Sequence, residues 1–243
     1  MHIPANMLHG GICPVTAAVG AAGVAGAAYL LRKCNKEIPH QRWASVTALI
    51  FVMQMLNFPV TNATSGHLVG SVLLVLLLGL PRAVLSMAFI ILTQAVLLGD
   101  GGIDALGANI LNMAVIGVGA GYLTLKLMES IKSFKLLSIA AASMVSVILA
   151  TLVCTIEVSA SSIAPFPDMA KYMLPVHVLI GLGESVLTLG FWLLLSPEWE
   201  RKREPVLILR TAFIGIGALA LLPIASKLPD GLQWTSAQLS LLF

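Results

Sequence analysis

Charge is scarce in this chain. Asp, Glu, Lys and Arg make up 10% of its 243 residues, where a soluble domain carries about a quarter, and the mean hydropathy is +0.96. Cysteine is limited to Cys13, Cys34 and Cys154, on different segments and without metal-ligand spacing, which excludes a cysteine zinc site and reads as small apolar residues. No Gly-x-x-x-x-Gly-Lys-Ser/Thr loop is present to bind ATP, and no His-Glu-x-x-His pattern to carry a metalloprotease zinc. No basic segment precedes the first apolar stretch, and its positive flank, Arg32-Lys33, follows it. That stretch is therefore expected to be a retained span and not a cleaved signal peptide.

What is abundant is apolar length. Apolar residues make up 58% of the chain, and several nearly uncharged stretches reach the roughly 20 residues a bilayer requires. Hydropathy places spans near 14–31, 43–58, 68–80, 83–99, 107–125, 136–156, 174–196 and 206–224, the third of them short. The expectation is an all-α integral membrane bundle of seven or eight helices.

The few cations are sorted by side. With the N-terminus outside, the inward loops hold Arg32, Lys33, Lys36, Arg42, Arg82, Lys126, Lys132, Lys135, Arg201, Lys202 and Arg203. The outward loops hold only Lys171 and Lys227, and Arg210 lies inside the last span. The positive-inside rule then predicts an extracytoplasmic N-terminus. It also rejects nucleic acid as a partner, because these cations flank spans and form no binding face.

An outer N-terminus gives Met1-His2 a chemical meaning. A chain that starts X-His offers a metal its terminal amine, the second amide nitrogen and a ring nitrogen in consecutive chelate rings. The near-planar arrangement suits Ni(II) or Cu(II) and suits Zn(II) poorly. Bulky His2 should hinder removal of Met1 and so preserve the amine. A fourth donor on the same side is His67, which ends the polar, Pro-interrupted stretch Asn57 to His67 between spans two and three. Irregular backbone at membrane depth must be buried in protein or line a cavity. The polar groups of Asn57, Asn62, Thr64 and Ser65 are expected to orient the metal-bound imidazole. His9, beside Gly10-Gly11, is a rival ligand, whereas His40 lies on the cytoplasmic side.

Other polar positions leave alternatives open. Asn109 and Asn112 share a helix face, with the 57–67 loop as expected partner or plain helix–helix bonding as the alternative. The loop Gly99 to Asp104 reads as a turn, with too few ligands for calcium. Glu184 is a carboxylate deep in a span, seven residues after His177. It reads as a structural hydrogen bond, a coupling element at a subunit contact, or a proton relay. Ala44 and Ala48 form a small-xxx-small pair that serves either packing within the chain or docking of another membrane subunit.

Met1-His2-Ile3-Pro4, the Asn57–His67 loop, the segment Gly107 to Met113 and the segment Gly181 to Glu184 resemble the CbiM/NikM family. These are the substrate-binding S components of energy-coupling-factor transporters for cobalt and nickel. The resemblance runs through about residue 200. It implies an S-component-type helical bundle with one added N-terminal transmembrane helix, and a metal held by Met1, His2 and His67. It further implies a transmembrane coupling protein docking on Ala44 and Ala48, two cytoplasmic ATPase subunits and a small accessory membrane subunit. Pro229 to Trp234 is similar to a segment of that accessory subunit. The expected organisation is a metal-binding membrane domain over 1–200 and, over 205–243, a C-terminal transmembrane helix with a partial accessory-like segment. The expected role is capture of Ni(II), or of Co(II), at a prokaryotic inner membrane, with ATP hydrolysis by partners and no chemistry on the substrate. A self-sufficient permease or channel is the alternative. A metalloenzyme lacks a base beside an open metal position.

Overall fold

The computed structural model describes residues 2–34, 37–61, 63–131, 134–200 and 204–239. Met1, Asn62, Lys36, Lys132 and Arg201 to Arg203 lie outside the described residues. Every expected span meets a helix. The elements are α1 (Ile12–Arg32), α2 (His40–Gln54), β1 (Asn57–Pro59), β2 (Ser65–His67), α3 (Ser71–Leu78) and α4 (Leu80–Thr93). They continue as α5 (Leu106–Asn109), α6 (Val118–Ser130), α7 (Lys135–Ala160), α8 (Phe166–Glu200), α9 (Glu204–Leu221) and α10 (Gly231–Gln238). Two π-helical turns interrupt the α-helices: Gln94–Leu98 prolongs α4, and Ile110–Gly117 joins α5 to α6.

Among the described residues five helical stretches are long and apolar enough to cross a bilayer: 12–32, 80–98, 106–130, 135–160 and 166–196. The chain is a multi-pass membrane protein. Its buried core draws on α2, α3, α4, α6 and α7, with Leu49, Leu73, Leu77, Met87, Ile90 and Ile139 almost without exposure. α1 leans on this bundle from outside through small residues. A Cβ on Gly20 would stand 2.9 Å from the Gly107 carbonyl, and one on Gly107 would stand 2.4 Å from Ala17 Cα. In lipid, such close backbone approach is what drives helix association.

The third expected span is the one the structure redraws. Only 71–78 is helical there, and before it Asn57–Pro59 and Ser65–His67 form an antiparallel pair that sets Asn57 opposite His67 and Pro59 opposite Ser65. The hairpin satisfies backbone groups that would otherwise enter the protein unpaired. α3 then ends at Gly79, whose φ of 78° and ψ of 162° lie in a region reserved for glycine, and α4 turns back from it. This short re-entrant path carries His67 in at the level where α2 ends. α8 also runs longer than its hydropathy window, from Phe166 to Glu200.

Candidate metal-binding site

His2 and His67 come together at the end of the bundle that holds the N-terminal segment. Their rings stack at 5.4 Å between centroids with 18° between planes, and both side chains are buried. The hairpin positions His67. Its Nδ1 lies 3.0 Å from the Leu68 carbonyl, which can only accept, so Nδ1 carries the proton and Nε2 keeps its lone pair. Burial pushes both imidazoles down from an ordinary value of 6.5 to about 3. Both rings are therefore neutral at physiological pH, the state in which imidazole binds metal.

The N-terminal segment is held by its backbone. Asn109, buried on α5, accepts the Ile3 N–H at 2.8 Å and donates to the Ile3 carbonyl at 3.1 Å. The Gly102 N–H also donates to the Ile3 carbonyl at 2.9 Å, and the Asn6 N–H to Asp104 Oδ2 at 2.8 Å. The 99–104 loop is thus more than a turn: it seats residues 3 to 6. Its Asp100 places Oδ1 3.5 Å from His2 Nδ1 while remaining half exposed. Ile3, Met7 and Leu8 pack below against Cys154, Val158, Met169 and Met173.

Several expected roles are corrected. Asn109 bonds the N-terminal segment and not the 57–67 loop. Asn112, one turn on, donates to Glu157 Oε2 at 2.6 Å and not to the 57–67 loop. The Thr64 and Ser65 hydroxyls do not reach an imidazole but donate to the carbonyls of Pro229 (3.0 Å) and Leu228 (2.7 Å). Asn57 contributes its backbone carbonyl, which accepts the Ser226 N–H at 2.8 Å. His9 is exposed, and its backbone N–H donates to Ser161 Oγ. Ala44 and Ala48 lie at the exposed face of α2, in an open groove shared with Trp43, Thr47, Phe51 and Phe89.

Glu184 acts on the main chain. Its Oε2 accepts the Val69 N–H at 2.7 Å and its Oε1 the Gly70 N–H at 2.8 Å, so both oxygens hold the turn between His67 and α3. Gly70 has φ +77° there, and a Cβ on it would collide with Ile50. His177 Nδ1 donates to the Met173 carbonyl at 2.8 Å, and its ring lines a small cavity with Ser65, His67, Asp230 and Gly231. The segment 226–231 therefore forms one wall of the site: Ser65 N–H donates to the Pro229 carbonyl at 2.8 Å, and Asp230 caps α10 beside the hairpin. Sequence reasoning did not place Asp100, Asp230 or Gln94 near His2 and His67. Asp100 alone carried a local signal, as an acidic residue in a Gly-rich loop on the same side. Among the described residues no group of three or more His, Cys, Asp or Glu side chains could hold a metal ion.

Comparison with known proteins agrees with this architecture. A family model described as the cobalt uptake substrate-specific transmembrane region matches residues 2–199. The chain is 38% identical over 149 residues to a fused nickel transport protein, NikMN, of Archaeoglobus fulgidus, covering 60% of this chain and 49% of that one. It is 35% identical over 207 residues to the fused nickel transport protein LarMN of Lactiplantibacillus plantarum, covering 78% of this chain and 62% of that one. The match thus spans about half to two thirds of the length of these relatives. The crystal structure of a transition metal transporter superposes with a TM-score of 0.73 at 31% identity, covering 81% of this chain and 93% of that one.

Proposed function

The chain belongs to the cobalt-uptake substrate-specific transmembrane family, and from that premise we propose that it captures Ni(II), with Co(II) as the second ion admitted, for uptake across a prokaryotic inner membrane. Four nitrogens form the site: the Met1 amine, the His2 amide, a His2 ring nitrogen and His67 Nε2. From the His2 amide, Nδ1 closes a six-membered chelate ring, whereas Nε2 points away from it, so Nδ1 is the ring donor. Four nitrogens near one plane favour Ni(II) over ions that require a tetrahedral or octahedral field.

The observation that carries this reading is the stacked, buried pair His2–His67 beside a backbone gripped at Ile3. The N-terminus faces outward, the ion is taken up from that side, and the 61–67 turn closes over it. The role is that of an S component. A transmembrane coupling protein docks on the Ala44–Ala48 face, two cytoplasmic ATPase subunits supply energy, and residues 205–243 act as a fused accessory-type segment. Glu184 and His177 are engaged with backbone groups, which argues against a proton relay through α8 and so against a self-sufficient permease.

The test is a Ni(II) titration of the purified chain against a form carrying two extra residues before Met1. One equivalent of nickel with square-planar absorption in the native form, lost in the extended form, is the expected result. Equal binding by both forms removes the N-terminal chelate. Uptake into vesicles by the chain alone, compared with uptake alongside the ATPase and coupling subunits, separates the coupled mechanism from the permease.

A further inference from the structure

A chelating His2 requires one tautomer, because the proton of a neutral imidazole must sit on the nitrogen the metal does not use. For His67 the Leu68 carbonyl makes that choice. For His2 it falls to the π-helical turn at the end of α4. Gln94 opens this turn and is fully buried. Its Nε2 donates to Gln54 Oε1 at 3.0 Å, and Gln54 Nε2 in turn donates to the Val69 carbonyl at 2.6 Å. That orientation commits the nitrogen of Gln94 to Gln54 and leaves its oxygen for another neighbour. Gln94 Oε1 and His2 Nε2 are each buried with no hydrogen-bond partner, and the two side chains lie near enough to influence one another. An amide oxygen can only accept, so a pairing of these two orphaned atoms requires hydrogen on Nε2.

We propose that Gln94 is a positioning residue that holds His2 as the Nε2–H tautomer, leaves Nδ1 free for the metal, and through Gln54 ties His2 to the backbone just beyond His67. The proposal rests on His2 being a ligand, as argued above. The opposing group is Asp100, whose Oδ1 lies 3.5 Å from Nδ1 and would draw the proton to the metal-binding side. That separation is long for a hydrogen bond, and the carboxylate is half exposed, so the buried amide prevails. Both groups come from one turn, since the Asp100 N–H donates to the Gln94 carbonyl at 3.1 Å. A π-turn supplies the extra residue that lets a single helix end bring both Gln94 and Asp100 to His2.

The tautomer is read directly from ring-nitrogen chemical shifts of 15N-histidine-labelled, nickel-free protein, with the His2 signals assigned from an H2Q variant. The expected result is a protonated Nε2 and an unprotonated Nδ1. Gln94→Leu should mix the tautomers and weaken nickel binding by about 10–100-fold, the usual cost of losing a group that orients a ligand histidine. Gln94→Glu keeps an acceptor oxygen for His2 but loses the N–H that Gln54 accepts, so it should retain the wild-type tautomer while binding nickel less tightly than wild type. A protonated Nδ1 in the wild type overturns the proposal, and that result stands even if Gln94→Leu fails to fold. Unchanged tautomer and affinity in Gln94→Leu also overturn it, as does a switch to the Nδ1–H tautomer in Gln94→Glu. The nickel-free spectrum is independent of the N-terminal extension experiment, so failure of the chelate and failure of the Gln94 role are told apart.

Discussion

Asn109 grips Ile3 from both sides, accepting its N–H at 2.8 Å and donating to its carbonyl at 3.1 Å. The clamp copies a rung of β-ladder with a side-chain amide and fixes the residue directly after His2. Asn109→Ala leaves the buried Ile3 N–H without a partner, at about 1–3 kcal/mol, while the Ile3 carbonyl keeps the Gly102 N–H. Nickel affinity should fall about 10–100-fold, measured by competition with a chelator. Asn112→Ala, one helical turn away, should leave affinity unchanged, because Asn112 bonds Glu157.

Glu184 holds the turn after His67 through two N–H groups. Glu184→Ala removes both acceptors and should cost about 2–6 kcal/mol if nothing replaces them, by the same reasoning for buried unpaired groups. Thermal unfolding in detergent should show a large loss of stability and weakened nickel binding. Glu184→Gln keeps one acceptor oxygen and should fall between. Stability equal to wild type in both variants would mean that the carboxylate does not anchor the turn.

The pH dependence of binding follows from the two depressed histidines. Each folded imidazole binds fewer protons than its unfolded counterpart, so its contribution to stability is complete above about 6.5 and is lost as pH falls toward 3. For nickel, the protons displaced near neutrality come from the amine, ordinarily near about 7.7–8.0, and from the His2 amide. Between about pH 5 and 6 the affinity should therefore change by about two protons per metal, against about four if both imidazoles titrated normally. Isothermal titration across that range in two buffers of different protonation enthalpy counts them.

Gly231 lies where the C-terminal segment crosses His177. A Cβ on it would stand 2.6 Å from His177 Cε1, closer than real contacts allow. Gly231→Ala should destabilise the protein by about 1–3 kcal/mol, the usual cost of overpacking. It should also raise amide exchange at Ser65, whose N–H donates to the Pro229 carbonyl. Gly217→Ala, with open space around the site, is the control and should leave both unchanged.

The spans were legible because a bilayer imposes a length on every apolar run, and that demand is written locally. The hairpin was not, since Asn57 to His67 is short, polar and shaped by a pairing across a turn. The two histidines could be brought together on chelate chemistry and sidedness alone. Their surroundings could not. Ile3 and Asn109 are 106 residues apart, and Ser65 and Leu228 are 163 apart. Nothing in the period of a helix announces such contacts. The hydroxyls of Thr64 and Ser65 carried the right chemistry but were assigned the wrong partner, because backbone carbonyls arriving from a distant segment are invisible in a sequence. Gln94 carries no local signal in the sequence, and only its burial and unpaired oxygen in the fold mark it.

The strand Ser65–His67 is flanked by residues from opposite ends of the chain, with His2 on one side and Pro229 on the other. Helices enter the membrane in the order of synthesis, so this strand is delivered early while its last neighbour follows some 160 residues later. The nascent protein therefore spends most of its insertion with one wall of the site open. Completion of the site coincides with arrival of α9, and a premature stop before it would leave a membrane-inserted bundle with an unfinished seat.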